Sequence, residues 1–236
     1  MPAEPPASGR GLATGARPST AVSGEHPTGA RLFVAATPPA EVIDALVAAV
    51  GRARPVAPAL RWVDVERIHL TLAFLGTVDD GLREGLSDRL GRVARRHPPV
   101  DVRLAGVGRF GDRVLWAGVA GELAPLAAGA RRAAAKAGVA GLDDRPLRAH
   151  LTLARARDDR RSRRQDGPGH AGSGRGREVS GTDLRPVLAA LGELPALAWT
   201  VDRFDLMRSV LGRHPYYTVE STWPLEGARS GDADDL

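Results

Sequence analysis

The sequence contains no cysteine, and this absence excludes both disulfide bonds and thiolate metal sites. It also has no apolar run approaching the roughly 20 residues that a helix needs to span a bilayer. The N-terminus lacks the hydrophobic segment of a signal peptide. We therefore expect a cytoplasmic protein that has no membrane partner.

Lysine is scarce as well, which gives the cationic residues an unusual composition. Lys136 is the only lysine, so nearly all of the 33 Lys and Arg residues are arginine, against 28 Asp and Glu. The arginine guanidinium is a rigid fork of donors that suits phosphate. The formal net charge of +5 is modest, so it is compatible with a phosphate-bearing substrate without requiring one.

Composition divides the 236 residues into one folded region, two tails and an insertion. Residues 1–29 are rich in Pro, Gly, Ala, Ser and Thr and are predicted to be a disordered tail, and residues 227–236 a second one. Residues 158–181 hold six arginines and six glycines and are predicted to be a low-complexity insertion. Its arginines could bind phosphate groups, or it could be a solvated loop. The remainder of residues 30–226 is predicted to form one domain.

The folded region alternates between helix and strand patterns. Apolar residues at helical spacing predict helices at residues 41–50, 82–93 and 123–137. Short apolar runs predict strands at residues 31–36, 60–63, 68–75, 100–107, 114–119, 147–153, 199–206 and 216–223. Some strands are separated by hairpin-length turns, so we predict an α+β fold with antiparallel or mixed sheets rather than a parallel doubly wound sheet.

An internal repeat is the most informative feature of the sequence. His69-Leu-Thr-Leu-Ala73 recurs residue for residue at positions 150–154, and the two copies lie 150 − 69 = 81 residues apart. The repeat predicts two related halves. Because side chains alternate along a strand, each histidine shares a face with the threonine two residues later, and the leucines take the other face. If the halves face each other, two imidazoles and two hydroxyls line one cleft.

Such a cleft has the groups that phosphodiester hydrolysis needs. Two histidines can supply a base and an acid near neutral pH, and on chemical grounds either of them can take either role. Threonine hydroxyls can donate to phosphate oxygens. A repeat that serves only packing and a zinc site are the alternatives. Catalytic zinc usually takes three protein ligands, and no third ligand recurs near the two copies, so we predict no metal.

The paired His-x-Thr-x motifs, residues 69–72 and 150–153, resemble those of the two-histidine phosphoesterases. Within that group the chain is similar to the RNA 2′,3′-cyclic phosphodiesterases, also called 2′-5′ RNA ligases. The resemblance extends from residue 31 to residue 225, through the opening strand, the two motifs in their contexts, the segment at residues 113–119 and the closing segment. One departure is Ala149, where the family often has proline.

The resemblance implies a bilobal fold with two pseudo-symmetric antiparallel or mixed sheets, helices outside and a central cleft. It implies hydrolysis of RNA 2′,3′-cyclic phosphates to 2′-phosphates without metal or other cofactor, and reverse ligation that could be incidental. It further implies that His69 is the proton donor, that His150 is the proton acceptor, and that Thr71 and Thr152 hold the phosphate.

Other residues near the motifs are open to two interpretations. Arg148 shares the face of His150 on a regular strand and either binds substrate or lines the rim. Arg155 has the opposite parity, which favours a surface role. Four aromatic residues could stack a base, although aromatics in strands are more often core residues: Trp62, Phe74, Trp116 and Tyr217.

The motifs account for binding of a phosphate but not of the groups attached to it. The sequence therefore does not identify the substrate. Besides RNA ends, the same chemistry suits 2′-5′ oligonucleotides or a small cyclic phosphate. A non-catalytic RNA-binding module is a third possibility, which the two intact His-x-Thr pairs disfavour. We expect a monomer.

Overall fold

The computed structural model describes residues 29–156, 183–212 and 215–228. The predicted insertion at residues 158–181 lies outside these ranges, as do residues 1–28 and 229–236 of the two predicted tails. The first strand begins at Gly29, and the backbone N–H of Gly227 donates to the carbonyl of His97.

The described residues form an α+β fold, as predicted. Its elements, in chain order, are β1 (Gly29–Ala36), α1 (Ala40–Ala53), β2 (Arg61–Trp62), β3 (Leu70–Asp79), α2 (Arg83–Arg96), β4 (Val100–Phe110), β5 (Val114–Ala120), α3 (Ala124–Lys136), β6 (His150–Arg155), α4 (Arg185–Leu191), β7 (Ala198–Val201), β8 (Arg203–Val210) and β9 (Tyr216–Pro224).

All strand pairs are antiparallel, and the strands form one hydrogen-bonded sheet in the order β7-β4-β5-β6-β3-β1-β8-β9, with β2 beside β6. The two predicted sheets are the two halves of this sheet. They join where β3 meets β6, through the single residue pair Leu70 and Leu151. The two motif strands are therefore neighbours at the centre of the molecule.

The core lies on the face of the sheet that the motif leucines occupy. Leu70 and Leu72 are buried, and so are the equivalent Leu151 and Leu153. Helices α2 and α3 cover this side because each has a buried apolar stripe at helical spacing: Leu86, Leu90 and Ala94 in α2, and Leu126, Ala130 and Ala133 in α3. The opposite face is left for the histidines.

The prediction of one strand at residues 199–206 is wrong, because the chain forms two strands there. Asp202 separates β7 from β8, and the two strands lie in different halves: β7 pairs with β4, whereas β8 pairs with β1 and β9. The hydrophobic pattern indicates that a segment is a strand but not which strand it pairs with. It therefore does not show that the chain passes from one half of the sheet to the other at Asp202. Helix α4 was not predicted. Among the described helices, none has the length and hydropathy to cross a membrane.

Candidate active site

The two motif histidines occupy equivalent positions at the start of the central strands. His69 immediately precedes β3, and His150 is the first residue of β6. The Nδ1 atom of His69 lies 2.7 Å from the carbonyl oxygen of Arg67, and that of His150 lies 2.6 Å from the carbonyl oxygen of Arg148. Because a carbonyl only accepts, Nδ1–H is the donor, which leaves Nε2 of each neutral imidazole as a free proton acceptor.

The threonines follow the predicted alternation. Thr71 and Thr152 are half-buried, like His69 and His150, whereas the leucines between them are buried on the other face. The charge of His150 is one of the causes that lower the pKa of His69, so the two imidazoles are near enough to interact. The structure therefore brings both His-x-Thr pairs to one side of the sheet.

A β-bulge in each motif strand alters the alternation beyond the threonine. In β3 the pairing with β1 skips Leu72, and in β6 the pairing with β5 skips Leu153. The extra residue leaves two consecutive buried residues in each strand. The next side chain, Phe74 in the first half and Arg155 in the second, therefore returns to the histidine side.

The opposite parity that strand alternation predicts for Arg155 is wrong for this reason. Arg155 is exposed, but its positive charge lowers the pKa of both His69 and His150. It also pairs across the sheet with Arg61 of β2, which is exposed as well. The bulge thus adds a cation that the two histidines share, at a position where an anionic substrate would be stabilised.

Burial is the main influence on both histidine pKa values. It lowers the pKa of His69 and of His150 below the ordinary value of 6.5, since a buried imidazole loses hydration of its charged form. The bonds to the backbone carbonyls oppose this effect, and the charge of Arg155 adds to it. Without substrate, both imidazoles therefore give up a proton more readily than a solvated histidine.

Each half also places an arginine over an aromatic ring that stands edge-on to the histidine. The guanidinium of Arg67 lies 5.0 Å from the ring centre of Tyr217, which is 5.2 Å from the imidazole of His69 at an interplanar angle of 90°. In the other half, Arg148 lies 5.3 Å from the ring of Phe110. That ring is 4.9 Å from the imidazole of His150, also at 90°. Arginine–aromatic stacking of this kind holds the ring against the imidazole.

Sequence reasoning missed Arg67, although the repeat contains a signal for it. The matched element begins two residues before each histidine, as Arg67-x-His69 and Arg148-x-His150. The two arginines differ in their partners: the Nη2 of Arg67 donates to the Tyr217 hydroxyl at 3.4 Å, whereas the ring under Arg148 is a phenylalanine. The predicted candidate Arg148 thus lies at the site and is exposed.

A pocket of about 240 Å³ opens beside His150. Its walls include Phe110, Trp116 and Arg148, and the indole of Trp116 lies against Gly108, where a side chain would collide with it. The indole N–H is buried and has no hydrogen-bond partner among the described residues. The pocket therefore offers flat apolar walls, which suit a planar ring.

The four candidate aromatic residues have different environments. Trp62 packs against the core, and its indole donates to the carbonyl of Ala57. Phe74 is 56% exposed on the histidine side, Trp116 lines the pocket, and Tyr217 contacts His69. Three of the four are therefore placed where a nucleobase could reach them.

Comparisons with known proteins agree with this geometry. The family model described as LigT like phosphoesterase matches residues 37–119. The RNA 2′,3′-cyclic phosphodiesterase of Thermus thermophilus is 33% identical over 216 residues, which are 84% of this chain and 91% of that protein. The chain belongs to the LigT-like phosphoesterase family. The protein of the same name from Geobacillus stearothermophilus is 30% identical over 207 residues, but this chain spans only 58% of its length.

The structural comparison supports the same family. The crystal structure of Escherichia coli LigT complexed with 3′-AMP has a TM-score of 0.62 and 27% identity, and the match covers 84% of this chain and 98% of that one. The family model includes His69 and Thr71 but ends before the second motif. In this LigT-like phosphoesterase, the roles of His150 and Thr152 therefore stay a prediction, which rests on the repeat and on the geometry that the two motifs share. In the described ranges, no group of three or more His, Cys, Asp or Glu side chains is placed to hold a metal ion.

Proposed function

We propose that this protein hydrolyses RNA 2′,3′-cyclic phosphate ends to 2′-phosphomonoesters, without a metal ion or other cofactor. The observation that carries the proposal is the matched pair of imidazoles. Each is held through Nδ1 by a backbone carbonyl two residues away, and each has Nε2 available beside a half-buried threonine. The names of the Thermus and Geobacillus relatives support the same reaction.

The reaction needs one proton removed from water and one delivered to the leaving group. In the proposed mechanism Nε2 of neutral His150 takes a proton from water as the water oxygen bonds to phosphorus. The bond from phosphorus to the 3′ oxygen breaks, and protonated His69 delivers its proton to that oxygen. The product carries a 2′-phosphate and a free 3′-hydroxyl. Proton exchange with solvent then restores both imidazoles.

The remaining polar groups stabilise the charge that develops on phosphorus. The hydroxyls of Thr71 and Thr152 donate to the non-bridging oxygens. Arg155 contributes a positive charge that both histidines sense, and exposed Arg148 is free to turn from Phe110 toward the substrate. Arg67, held by Tyr217, positions His69 instead of binding phosphate.

A small cyclic phosphate or a 2′-5′ oligonucleotide is the second candidate substrate. The pocket of about 240 Å³ beside His150 and the 3′-AMP complex of Escherichia coli LigT favour a ligand that includes one nucleotide. Reverse ligation uses the same groups. We further propose that the protein acts as a monomer in the cytoplasm.

The proposal is tested with a short RNA that ends in a 2′,3′-cyclic phosphate, incubated with the protein in EDTA. We expect conversion to a 2′-phosphate end. This end resists a phosphatase that is specific for 3′-phosphates, but a general phosphatase removes it. Mononucleotide 2′,3′-cyclic phosphates and 2′-5′ dinucleotides are assayed in parallel. Hydrolysis of the small substrates alone would reject RNA as the substrate, and binding without hydrolysis of any of them would support the RNA-binding module.

The pH dependence of kcat/KM is expected to be bell-shaped, with its maximum on the acid side of the ordinary histidine pKa of 6.5. Burial, and next the charge of Arg155, lower both pKa values. His150 is therefore already neutral at mildly acid pH, and His69 loses its catalytic proton below pH 6.5. Initial rates at low substrate concentration measure the profile.

Arg155→Met provides the control for this pH profile. Removal of one positive charge raises both histidine pKa values, so both limbs should move to higher pH. A profile that is flat from mildly acid to mildly basic pH would exclude the two-histidine mechanism. An unmoved profile in the variant would exclude the influence of Arg155.

Loss of either threonine hydroxyl is expected to weaken catalysis while the fold is retained. Thr71→Val and Thr152→Val keep the shape of the side chain but remove the donor to the phosphate. A hydrogen bond to a charged group contributes about 1.5–3 kcal/mol, so kcat/KM should fall about 10- to 100-fold. Thr→Ser at the same positions keeps the hydroxyl and should retain most of the activity. Equal losses in the valine and serine variants would contradict a hydrogen-bonding role.

A further inference from the structure

A second concave site lies between helices α2 and α3, away from the histidines. It is a groove of about 300 Å³ that we call the basic groove, and it is lined by five cations, Arg89, Arg92, Arg96, Arg132 and Lys136. The first three recur at helical spacing along one face of α2, and the last two are one turn apart on α3. Two rows of positive charge therefore face a common space.

The floor of the basic groove is apolar and tightly packed. Val93, Gly129 and Ala133 line it between the two helices. A side chain at Gly129 would come within 3.0 Å of the His97 ring and 3.1 Å of the Val93 side chain, so glycine allows this close approach of α3 to α2. Among the described residues that line the groove there is no Phe, Tyr or Trp. It therefore offers charge but no ring on which a base could stack.

The five cations lack counter-ions within the described part of the chain. No Asp or Glu lines the groove, and none of the five forms an ion pair with a described carboxylate. Like charges one turn apart on a helix are destabilising. The helix dipole favours cations in the last turn, such as Arg96, but not those further from the end, such as Arg89 and Arg92. An external anion would relieve this repulsion.

The basic groove and the cleft lie on different faces of the sheet, so only a long anion can occupy both sites at once. Helices α2 and α3 cover the leucine face of the sheet, whereas His69 and His150 lie on the other face. A small substrate bound at the histidines does not reach the groove. A long strand that passes around the edge of the molecule can, because its backbone carries a phosphate at every nucleotide beyond the end that the cleft binds.

We propose that the basic groove binds the phosphodiester backbone of an RNA substrate, several nucleotides away from the end that is bound in the cleft. This inference depends on the proposed function for the identity of the anion as RNA. From Arg89 to Arg96 the row extends about 10.5 Å at 1.5 Å per residue, which is long enough to contact more than one phosphate of a strand. Phosphate contacts without base stacking give binding that is independent of sequence.

Lys136 allows a direct test, because it is the only lysine of the chain and it lines the groove. Its acetylation is followed by peptide mass spectrometry with and without a 20-nucleotide RNA that ends in a 2′-phosphate. The RNA should slow acetylation several-fold, whereas a cyclic mononucleotide should leave it unchanged. Protection by inorganic tripolyphosphate at lower concentrations than by RNA would assign the groove to small polyphosphates and overturn the proposal.

Charge removal gives a second, kinetic test. The triple variant Arg89→Gln, Arg92→Gln, Arg132→Gln is compared with a control that loses the same charge at exposed positions on other elements: Arg54→Gln, Arg185→Gln, Arg203→Gln. The groove variant should bind the 20-mer at least 10-fold more weakly. The slope of its log affinity against log salt should be smaller by about 2, since each phosphate contact in single strands contributes about 0.7.

The two substrates separate this proposal from the proposed function. Both triple variants should hydrolyse a cyclic mononucleotide like the unmodified protein, and only the groove variant should have a raised KM for the 20-mer. If the two triple variants bind the 20-mer equally well and with equal salt slopes, the proposal that the basic groove binds RNA is overturned. A lack of hydrolysis of either substrate would instead contradict the proposed function, while Lys136 protection still reports whether RNA occupies the groove.

Discussion

His150→Ala and His69→Ala are each expected to lower kcat about 10²- to 10⁴-fold, the usual contribution of general acid or base catalysis. Each imidazole is oriented by its Nδ1 bond to a backbone carbonyl, and alanine removes the Nε2 atom that this bond holds in place for proton transfer. Initial rates with a cyclic mononucleotide in EDTA measure the effect. The double variant should lose little more than either single one, since residues that act together give non-additive losses.

His97→Ala is the matched control for the two histidine variants. The Nδ1 atom of His97 also bonds to a backbone carbonyl, that of Val93 at 2.8 Å, but His97 lies beside the basic groove and not at the cleft. Its replacement should leave hydrolysis of the mononucleotide unchanged. Substantial activity in either His69→Ala or His150→Ala would contradict the mechanism.

The leaving group distinguishes the acid from the base. A phosphodiester with a nitrophenolate leaving group needs little protonation as its bond breaks, but the attacking water still needs a base. On this substrate His69→Ala should therefore lose less activity than His150→Ala. The reverse order would exchange the two assigned roles and would leave the two-histidine mechanism intact.

Leu151→Ala is expected to cause the largest loss of stability among single changes in the motif strands. Leu151 has 0% exposure, and it forms with Leu70 the only residue pair that joins β6 to β3. Truncation of a buried leucine to alanine lowers the free energy of unfolding by about 2–5 kcal/mol, because the surrounding side chains fill the cavity only in part. Urea unfolding followed by circular dichroism measures the change.

Leu211→Ala is the corresponding control, since Leu211 is 71% exposed and follows the end of β8. Its effect should lie within about 0.5 kcal/mol, as for most surface substitutions. Because Leu151 lies between His150 and Thr152, the folded fraction of Leu151→Ala should also have reduced activity. A Leu151→Ala variant as stable as the control would show that the two halves do not depend on this contact.

The candidate catalytic histidines, and the face of the sheet on which they lie, could be predicted from the sequence because strand alternation is short-range geometry. The repeated pentapeptide, with side chains alternating along a strand, places His69 with Thr71 and His150 with Thr152, opposite the buried leucines. The same local patterns predicted most strands and the three longer helices. The absence of cysteine excluded thiolate sites without any knowledge of the fold.

The surroundings of the histidines depended on contacts between residues distant in the sequence. The bulges at Leu72 and Leu153 arise from pairing with β1 and β5, and they reverse the parity that strand alternation predicts for Arg155. The division of β7 from β8 follows from the different partners of the two strands. Likewise, Tyr217 reaches His69 only because β9 returns beside β8. The amino-acid pattern alone was enough to identify the candidate imidazoles and hydroxyls. The charges, rings and cavities beside them followed from the fold, because these neighbours come from separate segments that strand pairing and packing bring together.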